Sequence, residues 1–309
     1  MKRYSITHNT RYEYESMVMH AHHSARVRLR TTPFQSVLSA TLQVDPEPAS
    51  HLVTSDYFGN SADFFELLTQ HDVLSLRTVS TVEIDDGTPE AAELPDSPAW
   101  RAVVTELACG ALDPESREYC YDSPLVRVHG TLRDYALGSF RADRRLLDAV
   151  CELNQRIFDE FAYDQTATDV STPLADVLRS RRGVCQDFAH VAIGCLRSVG
   201  LAARYVSGYI ETVPPKGMPR LVGADASHAW ASVFVPSHGW LDFDPTNGML
   251  LSDRRITAAI GRDFSDVSPL KGVVLGGGRQ QLSVGVDVEL IARPSDAPSA
   301  ARAPADADT

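Results

Sequence analysis

Along residues 1 to about 85, apolar and polar positions alternate with a period of two, the pattern of strands that bury one face. The segments RYSITHNTRYEYE, ARVRLRTT, SATLQVDPE, ADFFELLTQ and LSLRTVSTVEI are short, rich in β-branched and aromatic residues, and separated by turn chemistry such as DYFGNS. Burying one face of each predicts an N-terminal β-sandwich over 1–86. The acidic, proline-rich stretch GTPEAAELPDSP predicts a linker over 87–98. The period then lengthens. In DRRLLDAVCELNQRIFDEF, the residues Leu146, Leu147, Val150, Leu153, Ile157 and Phe161 fall on one helical stripe, with Asp143 as N-cap and Cys151 among the packed positions. STPLADVLRS offers Thr172 as a cap, Pro173 at the first helical position and Asp176 in the first turn. A further helix opens at RRGVCQDFAH, carries Phe188, Val191, Ala192, Cys195, Leu196 and Val199 on its apolar face, and stops at Gly200. Alternation returns in ARYVSGYIE, HAWASVFVP and GWLDFDPTN, and again in the closing stretch VVLGGGRQQLSVGVDVELI. Helices followed by antiparallel strands predict an α+β core over 99–292, with the Ala/Pro/Asp-rich residues 293–309 as a disordered tail.

Charge and cysteine content narrow the function. The 309 residues carry a net charge of −12, which disfavours nucleic acid or an anionic membrane as partner. No stretch approaches a membrane span, and MKRYSITHNTRYEYE lacks the apolar run of a signal peptide. Five scattered cysteines without a CxxC pair suggest reduced thiols, hence a cytoplasmic location.

Of these cysteines, Cys185 has the unusual address. It begins a helix, where unpaired backbone N–H groups and the positive end of the dipole favour a thiolate, and Arg181 and Arg182 add positive charge. Cys195, on the apolar face of the same helix, has no such help. A thiolate nucleophile needs a base, and the base needs an orienter. His228 heads the strand HAWASVFVP, and Asp244 ends the strand GWLDFD at a proline that stops the ladder. If Pro236, Ser237 and His238 connect the two strands, Trp230 pairs with Asp244. His228 then lies on the same face at the diagonal position, about 7–8 Å away between backbones. A connection one residue longer would separate them.

The motifs GVCQDFAH, ARYVSGY and DASHAWASVFVPSHGWLDFDPTN together resemble the transglutaminase-like superfamily, specifically its bacterial cysteine-protease-like branch. YSITHNTRYEYE with DYFGN is similar to that branch's N-terminal β-sandwich domain, and GRDFSDVSPLKGVVLGGG to the stretch after its core. The resemblance implies a papain-like or transglutaminase-like core of helices packed on an antiparallel sheet. It makes Cys185 the nucleophile, His228 the acid–base and Asp244 the carboxylate that orients it, with Asp242 as the alternative carboxylate. The activity implied is cysteine-dependent amide hydrolysis through a thioester, with acyl transfer to an amine as the alternative and a catalytically silent binding protein as a third reading. The partner is then a peptide or protein carrying a carboxamide, and no metal or other cofactor is required. Backbone N–H groups at the helix start serve the oxyanion, with Gln186 and Trp230 as further candidates.

Other signals read as structural. His20 and His22 in MHAHHS share a strand face but have no acidic or cysteine neighbour in sequence, which predicts a solvated strand end. LGGGRQ lacks the Lys-Ser/Thr of a phosphate loop and predicts a hairpin turn. Asp187 is expected to complement the helix dipole.

Overall fold

A computed structural model describes residues 1–85, 96–112, 114–211, 227–236, 238–250 and 255–292. Most of the expected linker and the whole of the expected tail lie outside these residues. The N-terminal strands are β1 (Lys2–Ala25), β2 (Gln35–Asp45), β3 (Ser50–Ser55), β4 (Ser61–Leu67) and β5 (His71–Ile84). Helices α1 (Trp100–Cys109), α2 (Pro114–Glu118), α3 (Gly130–Leu137) and α4 (Leu146–Glu160) follow. Next come β6 (Ala162–Tyr163), α5 (Leu174–Ser180), β7 (Arg182–Gly183) and α6 (Cys185–Ser198). The second sheet is built from β8 (Ala203–Ile210), β9 (Ser227–Val235), β10 (Gly239–Asp244), β11 (Met249–Leu250) and β12 (Arg255–Gly261). A single turn, α7 (Phe264–Val267), leads into β13 (Leu270–Gly276) and β14 (Gln280–Ala292).

The expected mixed organisation is present: a curled antiparallel sheet in the N-terminal region and helices packed on an antiparallel sheet after it. The N-terminal strands gather into one sheet, and the closing strands belong to it instead of to the core. β1 is 24 residues long, so both of its edges need partners over a long span. β4 and β5 together run along one edge, and β13 and β14 together run antiparallel along the other, from Ala25↔Leu270 to Arg3↔Ala292. The chain thus returns to its starting strand, and a division at residue 99 does not follow the hydrogen bonding.

One sheet suffices because the core covers it. Tyr4, Ile6, Val82, Ile84, Val286 and Val288 pack against Tyr209 of β8 and Ile256 and Ala258 of β12. β12 is the edge of the second sheet, where unpaired backbone groups would be costly. Two side-chain amides from the N-terminal region take the place of a missing strand. Gln35 donates from Nε2 to the Thr257 carbonyl (2.8 Å) and accepts the Thr257 N–H at Oε1 (2.8 Å). Asn60 does the same for Ile260, at 2.7 and 2.8 Å.

Three local expectations are corrected. ARVRLRTT buries Val27 and Leu29 but bends at Arg28 and forms no ladder beyond Ala25 and an isolated bridge at Thr32. Its arginines instead bind Asp56, Asp63 and Asn60 with their side chains. α4 is capped at Arg145, and Asp143, two residues earlier, adopts a left-handed backbone (φ 60°). α5 begins one residue late, with Pro173 as N-cap, while the Thr172 hydroxyl accepts from the Asp169 N–H (2.9 Å). β3 had no signal: all six of its residues are exposed, so no alternation marks them.

α6 is the central core element, buried from Phe188 through Ser198 and packed on β8 and β9. No helix among the described residues is long and apolar enough to cross a membrane.

Candidate active site

The turn into α6 is held from several sides. β6 and β7 form a short parallel pair, and the Asp164 N–H donates to the Gly183 carbonyl (2.8 Å). Val184 is extended (φ −115°, ψ 179°) and caps the helix. Its N–H donates to Asp187 Oδ2 (2.9 Å), which also accepts the Thr168 hydroxyl (2.6 Å). Asp187 therefore does more than complement the dipole: it fixes the backbone on which Cys185 sits. Gly183 is required there, because a Cβ would stand 2.4 Å from the same Asp187 oxygen. The result is Cys185 at the first helical position, half-buried, with first-turn N–H groups that have no intrahelical acceptor. The positive charge expected from Arg181 and Arg182 is largely spent, since they pair with Glu160 (3.1 Å) and Asp164 (2.5 Å).

The register of β9 and β10 is the one expected from a three-residue connection. Val235 faces Gly239 and Ala231 faces Phe243, so Trp230 lies across from Asp244. On that face His228 Nε2 meets Asp244 Oδ2 at 2.9 Å. Asp244 is fully buried, and its carboxylate also accepts the Thr246 N–H (2.9 Å), the Asn247 N–H (3.3 Å) and the Asn247 side-chain amide (2.8 Å). Burial works against ionising Asp244, but the His228 contacts, the charge of Arg255 and the Asn247 amide outweigh it and hold the carboxyl below its usual range. Burial likewise opposes the His228 imidazolium, and hydrogen bonds to Asp244 and Cys185 with their negative charge reverse that, raising its pKa to about 9. With Nε2 committed to Asp244, Nδ1 is the nitrogen that remains for the Cys185 sulfur.

Cys185, His228 and Gln186 open onto a cleft of about 410 Å³. Its floor comes from Tyr205, Ser207 and Ala229 of the core, and its facing wall from His8, Thr10, Tyr12, Leu282 and Val284 of the N-terminal sheet. His8 is buried between the Tyr209 hydroxyl (2.6 Å) and the Thr10 hydroxyl (2.9 Å), and burial pushes its pKa down to about 4. The wall is thus a neutral one at His8.

Two sequence candidates fall differently. Gln186 lines the cleft beside Cys185, whereas Trp230 is fully buried and donates its indole N–H to Asp242 Oδ2 (2.8 Å). That bond removes Trp230 from the oxyanion candidates and engages Asp242 away from His228. Asn247 and Arg255 had no sequence signal as site residues; the Asx-turn spacing from Asp244 reaches Thr246, one residue short of Asn247. Cys195 is completely buried and its thiol pKa is pushed far up by that burial. Cys195→Ala is expected to keep most of the activity while costing about 1–2 kcal/mol of stability through the small void left behind. Turnover and urea unfolding of the variant check both halves.

This geometry is reached by a chain whose residues 134–245 match the model of the transglutaminase-like superfamily and whose residues 4–83 match that of the bacterial transglutaminase-like N-terminal region. The chain belongs to the transglutaminase-like superfamily. Similar uncharacterized proteins occur in Mycobacterium tuberculosis and Mycobacterium bovis. Each is 36% identical over 292 residues, a match covering 93% of this chain and 92% of the relative. A structure from Cytophaga hutchinsonii, provisionally described as a cysteine protease, superposes with a TM-score of 0.74 at 19% identity, over 94% of this chain and 91% of that one. The two folds are the same from the N-terminal sheet to the core. A protein-glutamine gamma-glutamyltransferase of Pseudomonas aeruginosa is 32% identical over 154 residues, spanning 48% of this chain and 22% of that protein. Within the superfamily, the transglutaminase-like core is generally enzymatic.

Proposed function

We propose that the chain is a cysteine-dependent amide hydrolase, a peptidase or amidase, with Cys185 as nucleophile, His228 as acid–base and Asp244 as orienter. The observation that carries this reading is the buried Asp244 carboxylate 2.9 Å from His228 Nε2, with His228 and Cys185, at the start of α6, lining one cleft. At neutral pH an imidazole whose pKa stands near 9 is protonated, so His228 rests as the imidazolium.

The Cys185 thiolate attacks the carbonyl carbon of a carboxamide, forming a C–S bond while the π pair moves to oxygen. The Cys185 backbone N–H, with Gln186 beside it, faces that oxyanion. Collapse breaks the C–N bond, and the departing amine or ammonia takes the proton from His228, leaving a thioester. His228, now neutral, removes a proton from water, which attacks the thioester and releases the carboxylic acid and the thiolate. Asp244 holds one tautomer of His228 throughout and offsets its charge. No step requires a metal. The cleft, walled by Tyr12, Leu282 and Val284, fits a peptide or protein substrate that presents the carboxamide within an apolar stretch. Five unpaired thiols suit a reducing compartment, and the cytoplasm is the location proposed.

A second reading, acyl transfer to an amine, is favoured by the similarity to the Pseudomonas aeruginosa glutamyltransferase over the core. The two diverge only in what attacks the thioester. Incubating the protein with a blocked glutaminyl dipeptide, with and without putrescine, and weighing the products by mass spectrometry separates them. Hydrolysis predicts the glutamic acid product (about +1 Da) in both reactions; transfer predicts the amine adduct whenever putrescine is present. Unchanged dipeptide and unchanged glutamine-bearing proteins would count against both.

A further inference from the structure

On the outer face of the N-terminal sheet, three metal-ligating side chains converge away from the catalytic cleft. His20 and His22 alternate outward on β1, while His23 points inward and is buried. The β1–β4 ladder sets Glu66 directly opposite His22. Sequence gave these histidines no acidic neighbour; pairing supplies one from 44 residues away along the chain (66 − 22). Both imidazoles aim the same atom at the same oxygen: Glu66 Oε1 lies 2.9 Å from His20 Nε2 and 3.6 Å from His22 Nε2. Only the first distance is a hydrogen bond; the second imidazole nitrogen converges on the same oxygen from just beyond that range. The rings stand 4.6 Å apart, and the ligand atoms of all three residues lie within 4.8 Å of one another.

These spacings have a specific meaning. Ligands bound at about 2.0–2.1 Å around a tetrahedral ion are separated from one another by roughly 3.3 Å. The two separations, 2.9 and 3.6 Å, bracket that value. The second oxygen of Glu66 is reached by the Ser50 hydroxyl at 3.4 Å, a partner that turns the carboxylate to present Oε1. We propose that His20, His22 and Glu66 form a binding site for a borderline divalent cation of the zinc class. Two imidazole nitrogens and one carboxylate oxygen serve as ligands, and the fourth position is open to water. The ion ties β1 to β4 just beyond the irregularity in the β1–β13 register between Val18 and His20.

The test is zinc titration of the full-length chain carrying Cys185→Ala, which removes the catalytic thiolate as a rival zinc ligand. Calorimetry is expected to show one equivalent bound, with the melting temperature rising as zinc is added. His20→Ala or His22→Ala in the same background lowers the affinity at least about tenfold, and His51→Ala, which touches Asp63 instead, leaves it unchanged. Cobalt in place of zinc should give a visible spectrum without sulfur-to-metal charge transfer. If His20→Ala does not fold, as judged by circular dichroism, the nearly isosteric Glu66→Gln carries the same expectation. Absence of zinc binding to the parent chain, or binding that survives loss of His22 or the Glu66 charge, overturns the proposal.

Discussion

Cys185→Ala loses about ten-thousand-fold or more in turnover of the glutaminyl dipeptide while the chain remains folded. The expectation rests on the chemistry of the missing atom. Without Sγ there is nothing to form the thioester, and the remaining imidazole and backbone donors can only assist direct attack by water. The fold survives because Cys185 is half-buried at the start of α6, and the turn beneath it is held by Asp187, Gly183 and the β6–β7 pair instead of by the thiol. Steady-state turnover and thermal unfolding measured on one preparation distinguish a lost nucleophile from a lost fold. Iodoacetamide provides the complementary readout. At neutral pH it should alkylate Cys185 far faster than the buried Cys195, and His228→Ala should slow that reaction. Full activity of Cys185→Ala would remove the nucleophile assignment, and labelling of Cys185 no faster than of Cys195 would favour a silent binding protein.

The site was legible because its parts are local. A helix opening at Cys185 and two strands joined through Pro236, Ser237 and His238 are short-range features, and once the connection length is set the period-two rule brings His228 and Asp244 to one face. What pairs with what over long range was not legible. Nothing in VVLGGGRQQLSVGVDVELI says that it returns to β1, because the alternation that identifies a strand is silent about its neighbour. The same blindness hid Glu66 from His22, and hid Gln35 and Asn60 as surrogate pairing groups for β12. Charge near Cys185 was misjudged for a related reason: Arg181 and Arg182 are adjacent in sequence, but their carboxylates, Glu160 and Asp164, come from another turn of the fold. Where a property depended on one element and its own period, sequence mostly sufficed; ARVRLRTT, which alternates but forms no ladder beyond Ala25, and the caps of α4 and α5 are the exceptions.

The architecture also explains why the N-terminal region accompanies the core. β1 and β14 supply His8, Thr10, Tyr12, Leu282 and Val284 to the cleft, so the sheet is the wall opposite the nucleophile. The amides of Gln35 and Asn60 lock that wall to β12, and β12 pairs with β8, whose Tyr205 and Ser207 form part of the cleft floor. On the proposed function, substrate contact and chemistry would share that one frame.

Asp244→Asn is expected to reduce turnover about a thousandfold or more with a smaller loss of stability. The amide is nearly isosteric and can still accept the Thr246 and Asn247 N–H groups, but it carries no charge to hold an imidazolium and can itself donate toward His228, favouring the wrong tautomer. Asp244→Ala would be the poorer test, because it strands four hydrogen-bond donors around a buried position and costs stability as well as rate. The pH dependence follows from the two shifts. His228 is raised, so its contribution to stability is complete below the ordinary imidazole value of 6.5 and disappears as pH rises through about 9. Asp244 is lowered, so its contribution is complete above the ordinary 3.8 and disappears as pH falls through its depressed value. The stability advantage of the parent over Asp244→Asn should therefore be greatest between about pH 4 and 6.5 and shrink toward alkaline pH, as urea unfolding at pH 5.5 and pH 10 would report. In kcat/KM the parent loses activity on the alkaline side near pH 9, where the imidazolium that protonates the departing amine is titrated away. Removing the carboxylate charge moves that limb to lower pH. A variant with the parent's alkaline limb and near-parent turnover would mean that the buried carboxylate holds the turn at 245–248 and has no part in aiming His228.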